Sequence, residues 1–351
     1  MNAHREVSDQ SGFDRTKQSK LPFEIWQHIM EYTVLIPAYK PKYLFDLLVS
    51  LRHQTKRPAV IVFSDDSPNQ SFATLLQADP LMSIVSDLNI KVIPGPRNGA
   101  YNNFRNLLQF YIDQQERKTE LFQLLLDDDV IYPTFYERHL LAHQSLNASC
   151  VISRRWAALE NGQPFRDPLP LPSVIASHSN RLLSLDADVL FKHTVGERKN
   201  WLGEFSNTTF RADMAPELLE SAMLGISYAG LEDLGGFLKA SLHGPVGFIN
   251  EHLGFFRSSA EQHSANPMGR PLKLAFLAYI SLTFIGRNLG KLSKDQVLAS
   301  LQQICPFILH HYGKEKDMFE ICQILPRLAE GSPEAELQYL QLWDQFIMAS
   351  T

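Results

Sequence analysis

The sequence predicts an α/β protein: a mostly parallel sheet flanked by helices, followed by an α-helical C-terminal extension. Three observations carry that prediction. Between Glu31 and Asp129, short apolar runs rich in β-branched residues alternate with helical patterns, as in strands joined by crossover helices. The unusual polar residues of this stretch fall at the ends of the apolar runs, where parallel sheets bind their ligands. After Pro267 the pattern becomes helical throughout.

The elements follow in order. Tyr32-Thr-Val-Leu-Ile-Pro37 is a short buried strand. Pro41 opens a helical stripe of Leu44, Leu47, Leu48 and Leu51. Ala59 to Phe63 is a second strand, ending in Ser64-Asp65-Asp66. After a turn at Pro68-Asn69, one helix is expected over Ser71 to Gln77. Ile90 to Ile93 is a third strand, broken by Pro94-Gly95-Pro96, and Phe104, Leu107, Leu108, Tyr111 and Ile112 repeat at helical spacing. Leu121 to Leu126 is a fourth strand and runs into Asp127-Asp128-Asp129.

The middle is less regular. Asn161 to Pro172 reads as a long loop near the site, and helices are expected over Arg211–Glu220 and Glu232–Leu242. The tail offers helices over Leu272–Leu289, Lys294–His310, Lys314–Leu328 and Pro333–Met348.

Thirty-three Lys and Arg against 38 Asp and Glu leave a net charge of −5, which argues against a protein that grips nucleic acid through its phosphates. Three scattered cysteines exclude a disulfide framework or a cysteine zinc site and point to a reducing, cytoplasmic compartment. The N-terminus has no apolar core of a signal peptide and reads as a loose polar tail over residues 1–28. Leu272–Ile285 is the most apolar stretch, but Lys273 interrupts it and it is too short for a transmembrane segment. It reads as a buried helix, with peripheral contact at a membrane as the second reading.

Three consecutive carboxylates at a strand end repel one another in a partly dry place. A divalent cation (Mn2+ or Mg2+) reverses that cost and takes carboxylate and phosphate oxygens together. Residues i and i+2 of an extended segment point the same way, so Asp127 and Asp129 are expected to face one ion and Asp128 to point elsewhere. The bland alternative is a solvated turn. Asp65 and Asp66 could accept hydrogen bonds from a base or ribose, or form an Asx turn before Pro68. Lys91, Arg97 and Arg105 stand in a stretch from Ile90 to Tyr111 without acids, which suits a diphosphate, although Lys91 reads better as a solvated residue. Glu232 and Asp233 open a helical segment and fit either capping or a general base. His139 and His143, at i and i+4 with no third ligand nearby, read as surface residues. There is no P-loop, no G-x-G-x-x-G after the first strand, no H-E-x-x-H and no G-x-S-x-G elbow.

Taken together, the motifs resemble the nucleotide-sugar-dependent family 2 glycosyltransferases of GT-A (Rossmann-like) fold. Thr33-Val-Leu-Ile-Pro-Ala-Tyr39 looks like the family's opening strand, and Val62-Phe-Ser-Asp-Asp-Ser67 like its second-strand acidic motif. Asn98-Gly99 with Phe104-Arg105-Asn106 is similar to its asparagine–glycine and arginine–asparagine helix. Leu126-Asp-Asp-Asp129 looks like the D-x-D element, Leu231-Glu-Asp233 like the late acidic pair, and Leu253-Gly-Phe-Phe-Arg257 with His263 like the segment that closes the donor site. Each motif is weak alone; their order is what is specific.

The resemblance implies a GT-A domain over residues 29–266 and an extension over 267–351. It implies that Pro37, Ala38 and Tyr39 wall the base, that Asp66 or Asp65 holds base or ribose, and that Asn98, Arg105, Asp127 and Asp128 line the donor site. Asp129 would hold the metal with Asp127 and His263, and Asp233 would be the base with Glu232 in reserve. The implied activity is inverting transfer from a nucleotide-sugar, a UDP-sugar foremost, to a glycan, lipid-linked or protein acceptor in bacterial-type glycan synthesis. Two departures stand out. Asp233 is followed by Leu-Gly-Gly without a further acid two residues on, and Q-x-x-R-W is absent, which argues against a processive synthase. The competing readings are a nucleotidyltransferase of related fold, which would want a glycine-rich loop where Pro37-Ala-Tyr-Lys-Pro41 stands, and a non-catalytic nucleotide-sugar-binding protein.

Overall fold

The structure, a computed structural model, describes residues 30–114, 119–167, 170–258 and 266–349. The expected polar tail and His263 lie outside the described residues. The first half is an alternation: β1 (Tyr32–Ala38), α1 (Leu44–Arg52), β2 (Val60–Asp65), α2 (Ser71–Leu76), α3 (Asp79–Val85), β3 (Ile90–Pro94), α4 (Ala100–Asp113) and β4 (Leu121–Leu124). Then come β5 (Val130–Ile131), α5 (Phe135–Leu146), β6 (Cys150–Ala158), β7 (Pro164–Arg166), α6 (Ser173–Ala176), β8 (Leu182–Leu185) and α7 (Ala187–His193). They are followed by β9 (Thr208–Arg211), α8 (Met214–Leu218), a small hairpin of β10 (Ala222–Met223) and β11 (Ile226–Ser227), α9 (Glu232–Leu242) and β12 (Val246–Arg257). Four helices close the chain: α10 (Arg270–Asn288), α11 (Lys294–Tyr312), α12 (Phe319–Ala329) and α13 (Pro333–Met348).

The main sheet runs β3-β2-β1-β4-β9-β6-β12-β5, with β7 on β6 and β8 on β12. Strands β3, β2, β1 and β4 are parallel, so their carboxyl ends share one edge. Strand β9 is inserted antiparallel between β4 and β6, and β6 pairs parallel with β12. Every residue of β1 is buried, which explains why its sequence is an unbroken apolar run rather than an alternation. Two register shifts in β12, around His252, bend it so that its end reaches the acidic turn after β4.

The fold agrees with the expected mostly parallel sheet flanked by helices. Locally it differs in three places. The helix expected over Ser71–Gln77 is α2, but a second helix beyond that expectation, α3, follows it with Pro80 in its first turn. The segment from Arg211 begins as strand β9 and has only the short helix α8. The loop expected over 161–172 folds back as β7 against the end of β6.

The C-terminal helices share one apolar core with the sheet. Leu277, Ile280, Phe284 and Trp343 pack in the same buried cluster as Leu35, Phe122 and Phe237. Trp343 Nε1 donates to Ser227 O at 2.9 Å, fastening α13 to the small hairpin. Most of α10 is buried, as expected for the apolar stretch, and no helix of the described residues is long and apolar enough to cross a membrane. Close approach fixes Gly230, which has φ +95°: a Cβ there would lie 2.6 Å from Leu274 Cβ on α10.

His139 and His143 correct the surface expectation. They are 0% and 3% exposed behind the sheet, and both reach Thr209 Oγ1, at 2.9 and 3.0 Å. His143 Nδ1 donates to Ala148 O at 3.1 Å, so its neutral form uses Nε2 as acceptor for the threonine hydroxyl. Helical spacing placed the pair on one face but could not reveal that β9 covers it. Burial lowers both pKa values, that of His143 to about 4. With folded values below the unfolded value of about 6.5, their stabilising effect is complete above that pH and is lost as pH falls below it. Thermal melts are expected to lose stability between pH 6.5 and 4.5, and His143→Gln to reduce that dependence. An unchanged pH slope in the variant would remove the pair as its source.

Candidate active site

The acidic turn after β4 is buried: Asp127, Asp128 and Asp129 are 5%, 3% and 1% exposed. Its three carboxylates do not share one direction. Asp127 Oδ2 accepts from the backbone N–H groups of Tyr39 and Lys40, at 2.6 and 2.5 Å, and so ties the turn to the loop after β1. Asp128 Oδ2 pairs with Lys40 Nζ at 2.5 Å. Asp129 Oδ1 accepts from the backbone N–H of Arg257 at 3.0 Å, at the far end of β12. The i, i+2 expectation therefore gives way to a turn that sends Asp127 toward β1 and Asp129 toward β12. Burial, then the charge of Asp128, raises Asp127 to about 6 despite the two amides, and the same causes push Asp129 well above the usual carboxylate range.

Arg257 holds this turn in place. It is 1% exposed; its Nε donates to Asp128 O at 2.8 Å, one terminal nitrogen to Glu160 O at 2.5 Å and the other to Asp46 Oδ2 at 2.9 Å. Its guanidinium lies 4.5 Å from the centre of the Tyr43 ring, which adds a cation–π contact. Replacing it with leucine leaves the buried Asp128 carbonyl without its donor and breaks the ties to Glu160 and Asp46, which are exposed residues. A loss of about 3 kcal/mol is expected from these broken contacts, measurable by urea unfolding; a loss under about 1 kcal/mol would mean that the turn holds itself.

The other predicted residues fall into groups. Pro37 and Ala38 end β1, and Tyr39 beyond them is 58% exposed, free to present its ring. Asp65 has both oxygens engaged locally, with Ser67 and with the Ala73 N–H, so it caps the turn and the start of α2. Asp66 is only half-buried and accepts from the Arg97 N–H at 2.5 Å. Of the two, Asp66 is the one placed to meet a ligand. Gly99, with φ +101°, turns the chain into α4, and Asn98 lies exposed just before it. Asn103 and Asn106 stitch α4 to Ser64 and Pro94 at the ends of β2 and β3. That leaves Arg105 exposed, 5.8 Å from the Tyr101 ring centre.

Arg105 also lines a small pocket together with Tyr101, Phe205, Ser221, Tyr228 and Glu232. Glu232 Oε1 accepts from the Gly230 N–H at 2.8 Å, which makes it a local cap. Asp233 Oδ1 accepts from the Leu234 N–H at 2.6 Å, and Asn200 Nδ2 reaches Oδ2 at 3.5 Å. Burial raises Asp233 to about 7; the next cause is the charge of Glu204, with Arg155 acting in the opposite direction. The missing acid two residues after Asp233 has a steric reason: a Cβ on Gly235 would lie 2.2 Å from the Tyr228 ring.

Sequence reading passed over Lys40, Glu204 and Arg155. Glu204 is ion-paired with Arg155, and its charge raises both Asp129 and Asp233, which places it between the acidic turn and the late pair. Ser206, two residues on, takes the Leu126 N–H at 3.1 Å on its hydroxyl. The available signal was an acid set alone between Trp201-Leu202 and Phe205.

The fit to a divalent cation rests on one atom. Asp129 Oδ2 is buried with no hydrogen-bond partner among the described residues, as a carboxylate reserved for a ligand would be. No three His, Cys, Asp or Glu side chains among the described residues form a complete metal cage. A cation there would need a donor's diphosphate for the rest of its shell.

Residues 33–203 match the sequence profile of Glycosyl transferase family 2. No curated protein gives a significant match. Among solved structures, S. aureus TarS aligns with a TM-score of 0.51 at 15% identity, over 91% of this chain and 49% of that one, so this chain spans about half of its length. The complex of S. aureus TarS 1-349 with UDP-GlcNAc aligns with a TM-score of 0.49 at 14% identity, over 92% and 82% of the two chains. The motifs resembling that family, the sheet order and the profile agree: residues 33–203 match glycosyl transferase family 2, and the chain has the GT-A fold.

Proposed function

We propose that the protein is an inverting glycosyltransferase that moves a sugar from a nucleotide-diphosphate sugar, a UDP-sugar foremost, to an acceptor hydroxyl on a glycan, lipid-linked or protein acceptor. Residues 29–266 form the catalytic part in this reading, and 267–351 the helical extension sealing it. What supports it is the nearness of two acidic groups: the charge of Glu204 acts both on Asp129 of the acidic turn and on Asp233, whose carboxyl is raised by burial to about 7.

In the reaction the acceptor oxygen attacks the anomeric carbon from the face opposite the diphosphate. Asp233 takes the hydroxyl proton as the new C–O bond forms. The bond from the anomeric carbon to the diphosphate oxygen breaks, and its electron pair leaves with the nucleoside diphosphate. One displacement inverts the centre and needs no covalent enzyme intermediate. Tyr39 offers a ring to the base, and Asp66 accepts from base or ribose. Arg105, beside the pocket, brings positive charge to the donor. A divalent cation bound through Asp129, with Asp127 and His263 as the other candidates, would supply Lewis-acid stabilisation of the leaving group.

The test is a panel of nucleotide-sugars with Mn2+, read as release of nucleoside diphosphate and as thermal stabilisation. One donor is expected to stand out in both. A folded protein that neither cleaves nor is stabilised by any of them sinks the reading; formation of a nucleotide-sugar from a sugar phosphate and a nucleoside triphosphate would favour a nucleotidyltransferase.

A further inference from the structure

We infer that Lys40 is the resident counter-ion of the acidic turn and that its ammonium passes from Asp128 to the donor's diphosphate, so that donor binding persists without a divalent cation. The inference rests on the nucleotide-sugar reading above.

Three carboxylates are buried within one turn, so water cannot neutralise them. Asp127 is held by two neutral amides and Asp129 by one. Full positive charge reaches the carboxylates of the turn from Lys40, paired with Asp128 at 2.5 Å. Its ammonium also lies in the field of Asp127 and Asp129. A cation therefore already stands on the acidic turn, paired with its middle carboxylate.

The tether is short and defined. The Lys40 backbone N–H is fixed on Asp127 Oδ2, so only the side chain is left to move. That side chain is 20% exposed, against 4% for Asp128, so Lys40 is the more accessible member of the pair. A lysine stem is flexible and its ammonium can exchange one oxyanion for another. An entering diphosphate adds negative charge beside the turn and is accommodated when positive charge moves with it. Because Lys40 occupies Asp128, a divalent ion meets an incomplete set of protein oxygens. Lys40 and the ion then act in parallel on the phosphates.

Calorimetric titration of the full chain with UDP in EDTA tests this, with uridine as the control that lacks phosphates. Wild type is expected to bind UDP without metal. Lys40→Met should weaken that binding about tenfold or more, the worth of a charge-assisted hydrogen bond, with uridine binding unchanged. Lys40→Arg, which keeps the charge, should restore most of it. Mn2+ alone should bind Lys40→Met more tightly than wild type, because Asp128 is released. Wild type that binds UDP with Mn2+ but not in EDTA overturns the inference and leaves the function standing, as does metal-free UDP binding equal in Lys40→Met and wild type. If UDP fails to bind wild type under either condition, a UDP-sugar reading falls, and the inference falls with it.

Discussion

Replacing Asp233 with asparagine is expected to lower kcat by roughly 10²–10⁴-fold, the usual worth of a positioned general base, while donor affinity stays near wild type. Asparagine keeps the size of the side chain and can still accept from the Leu234 N–H, so the start of α9 is preserved. It cannot take a proton from the acceptor. The pH dependence gives an independent readout. With a folded value of about 7, the base is protonated and idle in acid, so wild-type kcat should rise through pH 7 to a plateau. The same value has a consequence for stability. It lies above the unfolded value of about 4, so the fold holds this proton more tightly, and stability from the group declines as pH rises through about 7. Asp233→Asn should therefore gain melting temperature relative to wild type at pH 8 more than at pH 5. Since the charge of Glu204 contributes to the raised value, Glu204→Gln should move the acidic limb of the wild-type profile to lower pH. Transfer at the normal rate by Asp233→Asn would remove that residue from the role of base.

Asp129→Ala is the second large effect. The variant removes the carboxylate whose Oδ2 is buried without a hydrogen-bond partner and leaves the Arg257 N–H without its acceptor. Loss of the residue that would hold the cation should weaken Mn2+-dependent UDP binding by about 10–100-fold or more, the scale seen even for groups behind the metal ligands, and transfer should fall with it. Metal-free UDP binding depends on Lys40 in the reading above and should fall less. Calorimetry with Mn2+ and with EDTA separates the two. Tight Mn2+-dependent binding by Asp129→Ala would assign the cation elsewhere.

Much of the frame was legible in the sequence. The four parallel strands were readable because burial on both faces demands continuous apolar, β-branched segments, and Tyr32–Ala38 and Val60–Asp65 have them. Their carboxyl ends were readable because Asp65-Asp66 and Asp127-Asp128-Asp129 follow directly, so polarity changes at a strand end. The end of α2 near Gln77 was legible, whereas the short helix α3 after it has too few turns to show a periodic pattern. The two histidines were misjudged because the strand that covers them, β9, lies 66 residues beyond His143 and forms no contiguous pattern with it.

The sequence by itself determined the fold class, the acids at the strand ends and the resemblance to a family, because these depend on local periodicity and on motifs in order. The tertiary structure decided how the acidic groups divide their work. Asp65 turns inward as a cap while Asp66 stays open, Asp127 and Asp129 part toward β1 and β12, and Lys40 and Arg257 reach the same turn from segments before and after it in the sequence. The reason is physical. Whether a carboxylate is a cap, a base or a ligand depends on its burial and on the charges within a few ångströms, and those neighbours come from segments 88 and 129 residues away.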